Sequence, residues 1–268
     1  MDLKLATWNI NSVRLRIGLV ERFLAELNPD ILCLQEIKCV ADAFPYNAIR
    51  DAGYEHIAVH GQKGYHGVAI VSRIPFLKNH KRDFCEKGDA RHICVDVDVP
   101  GGLQVHNFYV PAGGDEPDPV FNPKFAHKLD FLREMAEWSG GHKTKKKNRM
   151  VLVGDLNVAP LEHDVWSHKQ LLNVVSHTPA EVELMQAIYA SHGWVDVMRK
   201  FVPETEKLYS WWSYRAQDWA ASDRGRRLDH IWVTPALQDA PQSMMVVREA
   251  RGWERASDHV PVITTLRL

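Results

Sequence analysis

LKLATWNINSVRLRIGLVERFLAELNPDILCLQE, Leu3 to Glu36, is the stretch that decides the fold class. Leu3 to Trp8 is a strand-like run, and Asn9 and Asn11 are polar side chains at alternating positions just beyond it. Ser12 is placed to cap a helix in which Val13, Ile17, Val20, Leu24 and Leu27 recur at helical spacing, and Asn28-Pro29-Asp30 stops it. Ile31 to Leu34 is a second strand, apolar on both faces, with Gln35-Glu36 at its end. Strand, helix, strand in this order predicts a parallel pair with the helix packed on one face of the sheet.

Downstream the rhythm changes. A short helix over residues 44–52 precedes four runs, 54–59, 67–72, 91–99 and 103–110, separated by turns. Hairpins of this kind are antiparallel, so the sheet must be mixed. The turn Gly61 to Gly67 is glycine-rich and carries Lys63 and Tyr65, and Tyr109 ends the fourth run. AGGDEPDPVFNP reads as a flexible stretch before an amphipathic helix through Phe125, Leu129, Leu132 and Met135. The basic run HKTKKKNR, His142 to Arg149, reads as a solvated loop leading to a buried strand, Met150 to Val153.

That strand ends in Gly154-Asp155-Leu156-Asn157. Strand alternation would put the Asp155 carboxylate and the Asn157 amide on the same side. A helix near 180–191 follows, then Trp211-Trp212, then Asp229 at the start of the strand Ile231 to Val233. Finally Ser257-Asp258-His259 stands before the closing strand 260–268. Polar residues therefore gather at the ends of early strands and the starts of late ones. If the late strands run antiparallel to the early ones, all of them meet on one edge.

Composition narrows the partners. The 268 residues suit one large α/β domain, and 33 Lys plus Arg against 34 Asp plus Glu give a formal charge of −1. No global field draws the chain to nucleic acid or an acidic membrane, so a polyanion must be met by a local patch. The four cysteines form no CxxC pair and read as reduced thiols. Neither a signal peptide nor a run long enough to span a bilayer is evident, so a soluble cytoplasmic chain is expected.

The gathered edge would hold Asn9, Asn11, Glu36, Tyr109, Asp155, Asn157, Asp229, Asp258 and His259. A set rich in oxygen, with no Cys and little His, suits Mg²⁺ or Mn²⁺ better than zinc, and Glu36 is the first choice of carboxylate anchor. Asp229 can fix the tautomer of His259 and raise its basicity. GxSxG and HExxH are both absent, which points to water as the nucleophile.

TWNINSVR, LQEIK, GQKGYHGVAI, YVPAGG, GDLNVAP, RRLDHIWV and SDHVPV, in this order from about Lys4 to Leu266, resemble the exonuclease III and apurinic/apyrimidinic endonuclease family. It belongs to the endonuclease/exonuclease/phosphatase superfamily. The resemblance implies a four-layer αββα sandwich, two mixed β-sheets flanked by helices, as one catalytic domain over residues 1–268. It implies that Glu36 binds Mg²⁺ (or Mn²⁺), that Asn9 supports it or orients Asp155, and that Asp258 completes the metal side. Asp155 and Asn157 would position and activate the water beside the metal, with Asp155 and His259 both open as general base. Asp229 would pair with His259 on a nonbridging phosphate oxygen, and Tyr109 would stabilise charge near the leaving oxygen.

Toward DNA the same resemblance makes Tyr65 a groove-entering loop residue and Arg91 a phosphate contact, with Lys63 a further one. Trp211, Trp212 and Leu228 would wall a pocket for a flipped abasic sugar. Ala112 departs from the pattern, standing where relatives often present an amide. The implied function is a monomeric DNA repair nuclease on duplex DNA with abasic sites or 3′ ends, incising 5′ to the lesion, with 3′→5′ exonuclease and 3′-phosphatase activity. A phosphatase acting on inositol phosphates or lipids is the alternative the same fold allows.

Overall fold

The computed structural model describes residues 1–141 and 147–268. Two six-stranded mixed sheets lie face to face. The first runs, edge to edge, Pro241–Val246, Val262–Arg267, Asp2–Asn9, Ile31–Gln35, Val68–Ser72 and His56–His60. The second runs Phe76–Lys81, His92–Val97, Leu103–Tyr109, Met150–Asp155, Asp229–Val233 and Val195–Asp196. Each sheet has a parallel pair at its centre: Asp2–Asn9 with Ile31–Gln35, and Leu103–Tyr109 with Met150–Asp155. The late strands Val262–Arg267 and Asp229–Val233 run antiparallel to these, as one shared polar edge requires.

Alternation along the strands builds the four layers. Leu3, Leu5, Ile31, Cys33, Val151, Val153, Ile231 and Val233 pack between the sheets. Ala6, Trp8, Leu32 and Leu34 point the other way, onto Val20, Phe23 and Leu24 of the helix Ile17–Leu27. Met150, Leu152 and Trp232 meet the helices Pro123–Gly140 and Pro179–His192 through Phe131, Leu132, Met135, Met185 and Ile188. Among the described residues no helix is long and apolar enough to cross a membrane.

Followed toward one end, the layer between the sheets turns polar. After Leu3 and Leu5 come Thr7 and Asn9 on the same face; after Ile31 and Cys33 comes Gln35; after Val105 come Asn107 and Tyr109. The Gln35 amide donates to Thr7 Oγ1 (2.9 Å) and Asn107 Oδ1 (2.7 Å), and the Asn107 amide donates to the carbonyls of Leu34 and Ala69 (3.0 and 2.9 Å). These buried bonds join the two sheets and fix their register, because any slip would strand their donors without partners. The next step outward is Asn9, Asp155 and Asp229.

The first helix begins at Ile17, not at Val13, and Ser12 does not cap it. Ser12 takes a left-handed φ of 85° and its N–H is drawn to the Glu36 carbonyl (2.7 Å), so the segment is spent on closing the site. Phe76–Lys81 and Pro241–Val246 are edge strands, the first mostly exposed and the second half so, and no strong apolar pattern announces them. Residues 142–146 of the basic run lie outside the described residues.

Candidate active site

Asp229 pairs directly with Asp155 across two antiparallel strands, and Tyr109 pairs with Asp155 across a parallel one. Gly154 is indispensable to this corner. Its φ is 138°, and a Cβ there would lie 1.9 Å from the Phe108 carbonyl oxygen. Asn157 reaches Asp155 by a left-handed turn (φ 53°), not by strand alternation. Its backbone N–H donates to Asp155 Oδ1 (3.0 Å) and its amide to Oδ2 (3.1 Å).

Asn9 is fully buried and acts as the hub. Its Nδ2 donates to Asp155 Oδ2 and to Glu36 Oε1, both at 2.9 Å. His259 Nδ1 lies 2.8 Å from Asp229 Oδ2, and its Nε2 lies 3.6 Å from Asp155 Oδ2. The ligand-type atoms of Asp155, Asp229 and His259 all fall within 4.8 Å of one another. Burial pulls the imidazole toward its neutral form, but Asp229 and then Asp155 outweigh it and raise its pKa well above the usual value. Asp155 is raised by burial against the pull of His259. The cation between two carboxylates is thus held in place by charge.

Glu36 sits at the mouth, with its side chain 18% exposed. Burial would raise its pKa, but Lys38 and the Asn9 amide bring it below the usual carboxylate value. Tyr109 donates its hydroxyl to Glu36 Oε1 (2.9 Å), and burial, with Glu36 and Asp155 nearby, keeps that phenol protonated. Asp258 accepts from Asn11 Nδ2 (3.1 Å) and from Trp211 Nε1 (3.0 Å). Glu36, Asn157, Asp258 and His259 open on a cleft of about 640 Å³ that Trp166, Trp211 and Leu228 also line.

Two of the DNA-facing expectations need correction. Trp212 does not wall the cleft: neighbours on a strand face opposite ways, and the indole is 1% exposed, packed on Tyr209 and Trp219 and bonded to Asp223. Trp212→Ala should therefore cost roughly 3–5 kcal/mol of stability. It should lower activity on all substrates alike, which melting curves and parallel assays will show; selective loss on abasic DNA would return it to the pocket.

Arg91 is the second correction. It is 6% exposed, and its guanidinium donates to Asp89 Oδ2 (3.1 Å) and the Tyr109 carbonyl (3.3 Å) while lying over the Tyr109 ring. Paired with Asp89 and largely buried, with Nη2 also 3.3 Å from His66 Nε2, the guanidinium braces Tyr109 instead of projecting into the cleft. Tyr65, by contrast, is 70% exposed, and Lys63 is exposed on the same loop. That loop is tied beside Glu36 by bonds from Ile37 N to Gly67 O and Lys38 N to His66 O.

Two lysines at the site went unnoticed in the sequence. Lys38 Nζ lies 2.8 Å from Glu36 Oε2 and 2.6 Å from Asn11 Oδ1. Lys128, wholly buried, donates to the carbonyls of Asn157 (2.7 Å) and Ala112 (3.3 Å) and pairs with Glu181 at 2.5 Å. LQEIK does hint at the first through its spacing. Nothing marks the second, because a lysine in an amphipathic helix ordinarily reads as solvated.

Two mixed sheets whose shared interior ends in a carboxylate–imidazole relay, beside an oxygen-rich cleft and without a serine or cysteine nucleophile, define a phosphoester hydrolase that uses water. Residues 6–259 match the Endonuclease/Exonuclease/phosphatase family, and the chain belongs to it. It is 31% identical over 97% of its length to exodeoxyribonuclease III of Haemophilus influenzae, covering 98% of that protein. Among solved structures it resembles an AP endonuclease from Archaeoglobus fulgidus (TM-score 0.91, 32% identity, 99% of this chain and 100% of that one). It also resembles a variant of the 3′ phosphatase NExo from Neisseria bound to a product DNA hairpin (TM-score 0.90, 32% identity, again 99% and 100%).

Proposed function

We propose that this protein is a metal-dependent DNA repair nuclease, active as a cytoplasmic monomer through one catalytic domain of residues 1–268. It hydrolyses the phosphodiester 5′ to abasic sites in duplex DNA, and it trims 3′ ends by 3′→5′ exonuclease and 3′-phosphatase action. The observation that carries the reading is the bonded series Glu36, Asn9, Asp155, with His259 and Asp229 beside it, opening on a cleft walled by Trp211 and Leu228.

The donor set fits a hard divalent ion, Mg²⁺ or Mn²⁺, since Glu36, Asn9, Asp258, Asp155 and Asn157 all offer oxygen and His259 is the one nitrogen donor beside them. Glu36 Oε2 already draws a cation, the Lys38 ammonium, at 2.8 Å. Glu36 would hold the metal with Asn9 and Asp258, next to Asp155 and Asn157. When bound, the ion supplies Lewis-acid neutralisation of charge on the scissile phosphate.

The chain's own groups do the rest. Asp155, held still by Asn9 and Asn157, aligns the attacking water and takes its proton. His259, kept cationic by Asp229, binds a nonbridging phosphate oxygen and offsets the charge that builds there. Tyr109, kept protonated by burial, supplies a hydroxyl donor toward the departing 3′ oxygen. Tyr65 and Lys63 contact the duplex outside the cleft.

Purified protein should be incubated with matched duplexes bearing an abasic analogue, a recessed 3′ end or a 3′-phosphate, with Mg²⁺, Mn²⁺ or chelator. Cleavage is expected with either metal and none with chelator. Hydrolysis of an inositol phosphate or phospholipid with all three duplexes left intact would overturn the reading in favour of a phosphatase. Glu36→Gln should raise the Mn²⁺ concentration needed for half-saturation by at least the roughly 10- to 100-fold that losing even an outer-shell partner costs. Direct Mn²⁺ titration measures this, and unchanged affinity would remove Glu36 from the metal site.

A further inference from the structure

We propose that Arg226 makes the pocket beside the catalytic groups favour a 3′-terminal nucleotide that keeps its base over a bare abasic sugar. The proposal rests on the nuclease reading above and ranks two of its activities. Arg226 lies in the two-residue strand Gly225–Arg226, directly across from Trp211, and its guanidinium carbon sits 5.2 Å from the centre of that ring. Leu228, two residues on, lines the same cleft, and Asp229 follows it. Arg226 Nη1 donates to the Val175 carbonyl (3.0 Å) and Ser176 Oγ (2.8 Å), whereas Nη2 has no partner among the described residues.

The charge is not isolated. Arg224 lies over the Trp166 ring at 4.6 Å, and Arg215 lines the same cleft. None of the three arginines is in an ion pair among the described residues, although the whole chain is close to neutral. Around Trp166 and Trp211 the lining is therefore guanidinium over indole, while Glu36, Asp115 and Asp258 supply the acidic groups of the same cleft.

Such a wall suits one occupant over the other. A baseless sugar placed there leaves the guanidinium with few acceptors, and a site whose half-buried donors go unpaired discriminates strongly against that ligand. A base supplies both acceptors along its edge and a flat face for stacking on a guanidinium or an indole. In all three reactions water adds to phosphorus and the bond to the 3′ oxygen breaks. What differs is the group on the far side: an abasic sugar in the endonuclease reaction, the terminal nucleotide in the exonuclease reaction, no nucleoside at all in 3′-phosphate removal.

Removal of a 3′-phosphate thus serves as the internal reference for Arg226→Leu and Arg226→Lys. For each protein, kcat/KM on the recessed 3′ end and on the abasic duplex is divided by kcat/KM on the 3′-phosphate. Arg226→Leu should lower the exonuclease ratio about tenfold, the loss expected when one hydrogen bond to a charged group goes. The abasic ratio should hold or rise, and Arg226→Lys should recover most of the exonuclease ratio. An unmoved exonuclease ratio in Arg226→Leu overturns the proposal. So does an equal fall of both ratios in both variants with a lower Tm, which would show that Arg226 only braces Val175 and Ser176. A wild-type protein that cuts none of the three duplexes with Mg²⁺ present sinks the nuclease reading itself, and the preference with it.

Discussion

Asp155→Asn is expected to lower kcat by roughly 10²- to 10⁴-fold, the usual cost of losing a general base, and His259→Ala by roughly 10²- to 10³-fold, the usual cost of losing a preorganised donor to transition-state charge. Asparagine has the shape of aspartate and can still accept from the Asn157 N–H at the Oδ1 position, so the turn after Gly154 should survive. It cannot take the proton of water. His259→Ala removes the group poised between Asp155 and Asp229 and leaves two buried carboxylates facing each other without a cation. Because the two residues act on one phosphate, the double variant should be little worse than the poorer single one. Circular dichroism separates lost chemistry from lost fold, and cleavage of abasic DNA within tenfold of wild type would end that residue's catalytic assignment.

A loss of stability as large as that of Trp212→Ala should come from Lys128→Met. Glu181 is fully buried, and without the ammonium its carboxylate keeps only the N–H groups of Ser176 and Thr178 and the Thr178 hydroxyl. Removing one member of a buried ion pair costs roughly 3–5 kcal/mol, and for a chain of this size each kcal/mol lowers Tm by roughly 2–4 °C. The carbonyls of Asn157 and Ala112 lose their donor too, so the walls of the cleft should loosen and KM rise. Lys128→Met combined with Glu181→Leu should be less damaging than Lys128→Met alone, since it removes the stranded charge. Thermal melts of the three proteins test this, and a Tm unchanged in Lys128→Met would show that water reaches Glu181.

Where strands were long and two-sided, the chain was legible. Leu3 to Glu36 and the hairpins after it imply a mixed sheet, and the polar ends of those strands do converge on one edge. Asn9, Glu36, Tyr109, Asp155, Asn157, Asp229, Asp258 and His259 sit together there. What stayed hidden has physical reasons. Trp211 and Trp212 are adjacent identical residues on a two-residue strand, and only the fold decides which of them faces the cleft. Arg91 carries a charge that a neighbouring aspartate cancels, a pairing invisible without coordinates. Arg226 and Arg227 are adjacent identical residues in RRLDHIWV, and alternation separates them: Arg227 turns inward to Asp164 and Asp196.

The polar end of the layer between the sheets also sets the order in which the enzyme comes into being. Asn9 and His259 approach within 3.5 Å but are 250 residues apart, and Val262–Arg267, the antiparallel neighbour of Asp2–Asn9, is made long after it. A ribosome adding roughly 5–20 residues per second releases Asn9 on the order of 10–50 s before the imidazole that must stand beside it. Until then the first sheet lacks Val262–Arg267 and the relay lacks its cation. On the roles proposed above, a half-made copy that holds Asn9, Glu36 and even Asp155 should not cut until Val262–Arg267 pairs with Asp2–Asn9 and His259 stands beside them.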